Sequence, residues 1–287
     1  MNKIYVINNM GERELFSPGK LLKSARRSGA DKELADRVVG IISNQVRNED
    51  RTSDIYRVMK SLLLKEERSV GIKFSLKESI RKLGPTGYPF EIYMAEVFKR
   101  HGFKTKVETF VKGKATDYEI DFQAEKEKNM YLAECKFHDD VGSRVDINVI
   151  LIAYAGLLDM LGGKYCLNYK NDGGKIKRLV ATNTKFTNKA ISFAKCYGMD
   201  LLGWHYPEDG GIEKYIENMK LYPITILPSI NKNLLEVFFN AGIIFCIDLL
   251  NMDEQKLIKN LHISLKDAQK IMFDAKSLLN NNEQRIG

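Results

Sequence analysis

Asp117-Tyr-Glu-Ile-Asp121-Phe-Gln-Ala124, a charged turn at Glu125 to Asn129, then Tyr131-Leu-Ala-Glu134-Cys-Lys136: this stretch, residues 117–136, decides how the chain is read. Strand side chains alternate, so it is a β-hairpin with Glu119, Asp121 and Gln123 on one face and Ile120, Phe122 and Ala124 behind them. On the return strand Glu134 and Lys136 share a face, while Ala133, Cys135 and Phe137 point away. A turn centred on Glu125 to Asn129 puts Asp121 opposite Ala133 or Glu134. Opposed residues have Cα atoms about 4.5–5.5 Å apart, and like charges placed there weaken a sheet. A divalent cation held by both carboxylates would account for them.

The competing reading is solvated charge. Acid-x-Lys is common in a chain this charged, and it recurs at Glu254/Lys256 and Asp274/Lys276, both in helical segments where solvated pairs are expected. The strand setting, the facing Asp121 and an upstream Glu91 favour the metal site. Phe90 to His101 reads as a helix with Phe90, Met94, Val97, Phe98 and His101 along one stripe. Glu91 lies beside that stripe, and a carboxylate near a buried face is costly unless paired or metal-bound.

These residues resemble the PD-(D/E)xK nucleases, and within them the Mrr-like restriction endonucleases. The resemblance runs from about Gly87 to Trp204: the helix from Phe90-Glu91 to Phe103, the Asp121 strand, the Glu134-Cys135-Lys136 strand, and the block Leu179 to Ala190 as closing strand and helix. It implies an α-β-β-β-α-β core with a mixed sheet. It also implies Asp121 and Glu134 as Mg²⁺ (or Mn²⁺) ligands, Glu91 as a further ligand direct or through water, and Lys136 positioning or deprotonating the attacking water. Ile120 stands where the family often has Pro.

Composition agrees with a folded protein of two or three domains in the cytoplasm. The chain has 287 residues, 44% of them apolar, and 45 basic against 37 acidic residues give +8. That excess favours an anionic partner such as DNA. Cys135, Cys166, Cys196 and Cys246 are widely spaced, which argues against a zinc site. The opening Met-Asn-Lys-Ile-Tyr-Val has no signal-peptide pattern, and Ile147 to Leu161 is too short to span a bilayer, so it is expected as a buried helix behind the sheet.

Gly/Pro-rich joints at Leu83 to Pro89 and Tyr206 to Gly211 divide the chain into residues 1–83, 84–207 and 208–287. The first module reads as a small α+β domain: strands at Ile4 to Ile7 and Glu14 to Phe16, then helices from about Ser17, Asp31 and Thr52. It resembles the ATP-cone through Val6, Gly11, Glu14, Phe16, Lys20-Leu21 and Thr52 to Ile55. That implies ATP or dATP as an effector contacted by Lys20 and Thr52. Asn8-Asn9 replace the usual Lys-Arg pair, and a degenerate cone used for dimerisation or docking stays open. The last module reads as short helices, with Ser264 capping an amphipathic one that turns Ala268, Ile271, Met272 and Ala275 inward. It resembles helix-hairpin-helix or SAM-like domains without the Gly-x-Gly hairpin, and is expected to touch DNA or support assembly.

Lys170, Lys175, Lys177 and Arg178 bracket a loop read either as a phosphate contact or as a solvated hairpin tip. Together these readings give a Mg²⁺-dependent DNA endonuclease of the restriction type, regulated by ATP or dATP and working as a homodimer or larger. The alternatives are a nucleotide-sensing DNA-binding protein with a non-cutting core, and a structure-specific repair nuclease.

Overall fold

A computed structural model describes residues 3–84 and 87–280. The chain is α+β and forms two compact units, Ile80–Leu221 (the central unit) and Met1–Ser79 with Tyr222–Gly287 (the split unit). The segments read from sequence as separate first and last modules therefore share one unit. Residues 208–221 go with the central unit rather than with the last module.

In the split unit, β1 (Tyr5–Ile7) and β2 (Arg13–Leu15) form an antiparallel hairpin, and Ile7 also bridges to Arg51. Four helices follow: α1 (Pro18–Arg27), α2 (Lys32–Gln45), α3 (Thr52–Glu66) and α4 (Arg68–Phe74). Ser17 and Asp31 cap α1 and α2 by accepting from the backbone N–H groups of Lys20 and Leu34, which ends the preceding segments where the sequence placed the helix starts. Leu34, Val38, Ile42, Ile55, Met59, Leu63 and Val70 fill the core beneath the hairpin. After α5 (Leu76–Arg81), inside which the units change over, the chain returns to the split unit at Tyr222.

Ser264 is the N-cap of the last helix, as read, with Ala268, Ile271, Met272 and Ala275 buried. Asp274 corrects the expectation of a solvated pair. It is 1% exposed. Its Oδ1 accepts from Arg68 Nε at 2.7 Å and its Oδ2 from the Ser229 N–H at 3.1 Å. Its neighbours at i−3, i+1 and i+4 are the core residues Ile271, Ala275 and Leu278, so the inward face of the helix carries it inside.

The central unit is built on a five-stranded sheet. Its strands, in chain order, are β3 (Lys104–Lys112), β4 (Asp117–Lys126), β5 (Asn129–Lys136), β7 (Lys175–Thr182) and β9 (Asp200–Leu202). The first three pair antiparallel, and β5, β7 and β9 pair parallel, so the sheet is mixed. Parallel neighbours need a crossover. Between β5 and β7 it is made by α7 (Ile147–Leu161) and α8 (Lys164–Asn171); between β7 and β9 it is made by α9 (Asn188–Tyr197). Short strands β6 (Arg144–Val145) and β8 (Lys185–Phe186) pair beside the sheet. Helix α6 (Tyr88–Arg100) precedes the sheet and α10 (Ile212–Asn218) follows it. In the split unit the remaining helices are α11 (Lys232–Asn240), α12 (Glu254–Leu261) and α13 (Leu265–Leu279).

The β4–β5 turn is tight, with Glu127 and Lys128 both at positive φ (53° and 59°), as a two-residue hairpin with right-handed twist demands. Phe122 packs on Phe98 of α6, ring centroids 5.3 Å apart. Ile120, two residues earlier, instead joins Val111, Leu132 and Met160. Strict alternation would have kept Ile120 and Phe122 on one face; the strand changes layers at Asp121. Helix α7 also departs from its reading. Ile150, Ala153, Leu157 and Met160 are buried, but its outer face leaves Leu151, Leu158 and Ile152 (75%) exposed. Among the described residues no single helix is long and apolar enough to cross a membrane.

Candidate functional site

The site forms where the β4–β5 ladder opens. Pairing runs from Lys126↔Asn129 to Phe122↔Ala133 and stops there. One step further Asp121 faces Glu134, and the Asp121 side chain replaces the missing backbone partner: its Oδ2 accepts from the Cys135 N–H at 2.6 Å. On the other side the β3 residue facing Asp121 is Glu108, which sits at φ 48° between the pairs Val107↔Phe122 and Thr109↔Ile120. A non-glycine residue in the left-handed region in mid-strand is strained, and such strain gathers at functional sites. Asp121 therefore presents its carboxylate at a local break on both flanks.

Glu134 and Lys136 lie on one face, with Lys136 Nζ 2.7 Å from Glu134 Oε1. The end of β5 is held from β7. Thr182 Oγ1 donates to the Lys136 carbonyl at 2.6 Å, and Asn183 clamps the His138 backbone through both its amide nitrogen (2.8 Å) and its oxygen (2.9 Å). Glu91 arrives from the first turn of α6. The joint before that helix lies against Phe137: a Cβ on Gly84 would stand 2.1 Å from the Phe137 ring, so only glycine permits the approach. Phe90 continues the contact, its ring 5.7 Å from Phe137.

All four residues singled out for this site, Glu91, Asp121, Glu134 and Lys136, thus come together in the central unit. Their charges act on one another. Glu91 is pushed up to about 7, first by burial and then by the charges of Asp121, Glu119, Glu134 and Glu108. The Asp121 carboxyl is also raised by burial, against the Cys135 hydrogen bond and the Lys136 and Arg178 cations. Burial pulls Lys136 down, but the hydrogen bond and charge of Glu134 and the charge of Asp121 outweigh it and the ammonium ends above its usual range. The cluster is overloaded with negative charge, which a cation would relieve.

Arg178 is the residue that sequence reasoning misplaced. It lies on β7 and is 4% exposed, so neither a phosphate-binding loop nor a solvated hairpin tip describes it. It stands in register with Leu132 and donates from Nη2 to Glu134 Oε2 at 2.6 Å and from Nη1 to the Leu132 carbonyl at 3.2 Å. The available signal was its position, immediately before the apolar run Leu179-Val180-Ala181 of a central strand.

Oxygen donors from Glu91, Asp121 and Glu134 match the chemistry of a hard divalent cation such as Mg²⁺. Among the described residues no group of three or more His, Cys, Asp or Glu side chains is arranged to hold a metal ion as it stands. Mg²⁺ is content with one or two carboxylates plus water and phosphate. Both Glu134 oxygens are engaged, so a cation must displace a partner, and Lys136 (side chain 41% exposed) is freer to leave than Arg178 (5%).

Lys20 and Thr52 stand elsewhere, in the split unit beside the β1–β2 hairpin. Lys20 Nζ pairs with Glu14 at 3.1 Å, and Thr52 opens α3 next to the Arg51 bridge. Among the described residues no hydrogen bond or ion pair joins the two. Asn8 shapes the hairpin turn, its Oδ1 accepting from the Met10 and Glu12 N–H groups.

The fold and site define an α+β protein of two compact units with an acidic cluster at the break of a mixed five-stranded sheet. It belongs to the AF1548-like family. A protein of Archaeoglobus fulgidus described as uncharacterized is 36% identical over 186 residues, spanning 65% of this chain and 99% of the relative. The solved structure titled "Crystal Structure of Protein of Unknown Function AF1548" is similar with a TM-score of 0.54 and 34% identity, over 68% of this chain and 98% of that one. The family described as AF1548-like, C-terminal, matches residues 222–279, starting where the chain re-enters the split unit.

Proposed function

We propose that the central unit is a Mg²⁺-dependent (or Mn²⁺-dependent) nuclease of the PD-(D/E)xK type that hydrolyses DNA phosphodiesters. The convergence of Asp121, Glu134, Lys136 and Glu91 at the broken β4–β5 ladder carries this reading. The order α6, β3, β4, β5, α7, β7 supports it. Asp121 and Glu134 would hold the cation, with Glu91 beside them. A bound divalent cation supplies Lewis acidity to the phosphoryl group and a more acidic water.

The chain's own residues do the rest. Asp121 is pre-oriented by the Cys135 N–H, so its other oxygen is free to ligate. Lys136 starts protonated, with Glu134 holding it so. In that state it positions water and stabilises charge developing on the phosphate; acting as a base requires release from Glu134. Lys112 and Lys114, at the β3–β4 connection, and Arg144 offer phosphate contacts. The split unit acts as an ATP-cone-like regulator answering to ATP or dATP at Lys20 and Thr52, with its C-terminal helices aiding DNA contact or assembly. Cutting both strands calls for two copies of the chain, and the cytoplasm is the expected setting.

One observation favours a second reading, a DNA-binding regulator that does not cut: both Glu134 oxygens are already paired with cations. Nicking of supercoiled plasmid separates the two. The nuclease reading expects cleavage with Mg²⁺ that EDTA and Lys136→Ala abolish, and a change in rate on adding ATP or dATP if the cone is functional. DNA retention with no cleavage of unmodified, methylated or branched substrates supports the regulator.

A further inference from the structure

We propose that Arg178 is a positioning residue for the metal site: it grips one oxygen of Glu134 from inside the sheet so that the other is presented, in a fixed direction, to either Lys136 or a divalent cation. The inference rests on the nuclease reading for the identity of the cation. The geometry is asymmetric. Arg178 Nη2 holds Oε2 at 2.6 Å, and its side chain is 5% exposed, anchored by Nη1 on the Leu132 carbonyl at 3.2 Å. Lys136 holds Oε1 at 2.7 Å from the open side, with 41% of its side chain exposed. Arg178 Nε is buried and has no hydrogen-bond partner. Burying a guanidinium with a donor unmet is costly, and packing alone is met better by an apolar residue at a position this buried.

The charge count points the same way. Glu91, Asp121 and Glu134, when ionised, carry three negative charges against the two positive ones of Lys136 and Arg178. Glu119 and Glu108 add to the excess of negative charge, and a divalent cation reduces it where a phosphodiester anion would approach. Lys136 is then displaced from Oε1 and becomes available to the substrate, while Arg178 keeps Glu134 from following it. Lysine cannot replace the arginine fully, because a single ammonium cannot bond Oε2 and the Leu132 carbonyl as a planar fork does.

Orientation and simple charge make opposite forecasts, which gives the test its edge. Removing a cation beside Glu134 should tighten metal binding if the arginine only neutralises charge. It should weaken binding if the arginine aims the carboxylate, by about 10–100-fold as for other groups that orient metal ligands. Mn²⁺ binding to the full chain, followed by electron paramagnetic resonance without substrate, reads this directly. Arg178→Met should lose affinity by that factor, Arg178→Lys should recover part of it, and Lys136→Met should bind Mn²⁺ more tightly than the wild type. Wild-type or tighter binding by a folded Arg178→Met protein overturns the proposal while leaving the nuclease reading intact. If Arg178→Met does not fold, Arg178→Lys decides: weaker binding supports aiming and unchanged binding refutes it. No Mn²⁺ binding by the wild type defeats the metal reading and this proposal with it.

Discussion

Two acid-x-Lys tripeptides, Glu134-Cys-Lys136 and Asp274-Ala-Lys276, look alike in sequence and have opposite fates in the fold. Each acid pairs with an arginine far away in the chain, Glu134 with Arg178 and Asp274 with Arg68. In the split unit the acid is the buried partner (1%) and the arginine reaches the surface (39%). The carboxylate is consumed by fixed donors from Arg68 and Ser229. In the central unit the arginine is buried (5%) and the acid faces outward (22%) among further carboxylates. The Asp274 pair hides its acid and satisfies it; the Glu134 pair hides its arginine and leaves the acid partly exposed, with Lys136 on its open side.

The sharpest way to break this contrast is to remove a charge from each setting and measure cleavage. Asp121→Asn or Lys136→Ala should lower metal-dependent plasmid cleavage by about 10²–10⁴-fold, the range for groups acting directly on the reacting atoms. Asp274→Asn should leave the rate per folded molecule unchanged. Equal losses at the two places would erase the distinction.

Stability should respond in the reverse order. Arg68→Met strands Asp274 inside the split unit, and breaking a buried pair this way costs about 3–5 kcal/mol. Denaturant unfolding should show that loss, whereas Lys136→Met, at the rim of the sheet, should cost less than about 1 kcal/mol.

A smaller effect comes from Glu91. Its folded pKa of about 7 lies above the ordinary 4.5, so between those values the folded state binds more protons than the unfolded one. Stability of the metal-free protein should therefore fall as pH rises through that window, by roughly 1 kcal/mol after allowing for solvent screening. Asp121, also raised, adds in the same direction. Glu91→Gln should flatten the slope, and Mg²⁺ should do the same to the wild type. A slope unchanged by both would mean that the carboxylates do not interact.

An effect of similar size tests the cap. Ser264 Oγ accepts from the Asp267 N–H at 3.1 Å. Ser264→Ala should cost about 1 kcal/mol in the split unit and nothing in Mn²⁺ affinity.

Much of this was legible in the chain because it rests on local physics. Helix starts at Ser17, Asp31 and Ser264 follow from the pattern and its capping side chains, and hairpin arithmetic brings Asp121 to the level of Ala133 or Glu134, next to the last observed pair Phe122↔Ala133. What was hidden depends on partners distant in sequence. Nothing near Asp274 announces Arg68, 206 positions away, and nothing near Glu134 announces Arg178, 44 away. Ile120 left its expected face because the ladder breaks at Asp121, a distortion that alternation alone does not contain. The outer face of α7 was misread because an apolar helix looks buried on every side until its neighbours are known. Lys20 and Thr52 came from a resemblance, and among the described residues no hydrogen bond or ion pair joins them.

The most direct measurement is a crystal of the full chain soaked in Mn²⁺, with the anomalous signal used to locate the ion. The expected result is a peak about 2–2.5 Å from carboxylate oxygens of both Asp121 and Glu134, with Lys136 moved off Oε1 and Arg178 still on Oε2. A peak at other residues, or none at a concentration that supports cleavage, contradicts the assignment of the metal site.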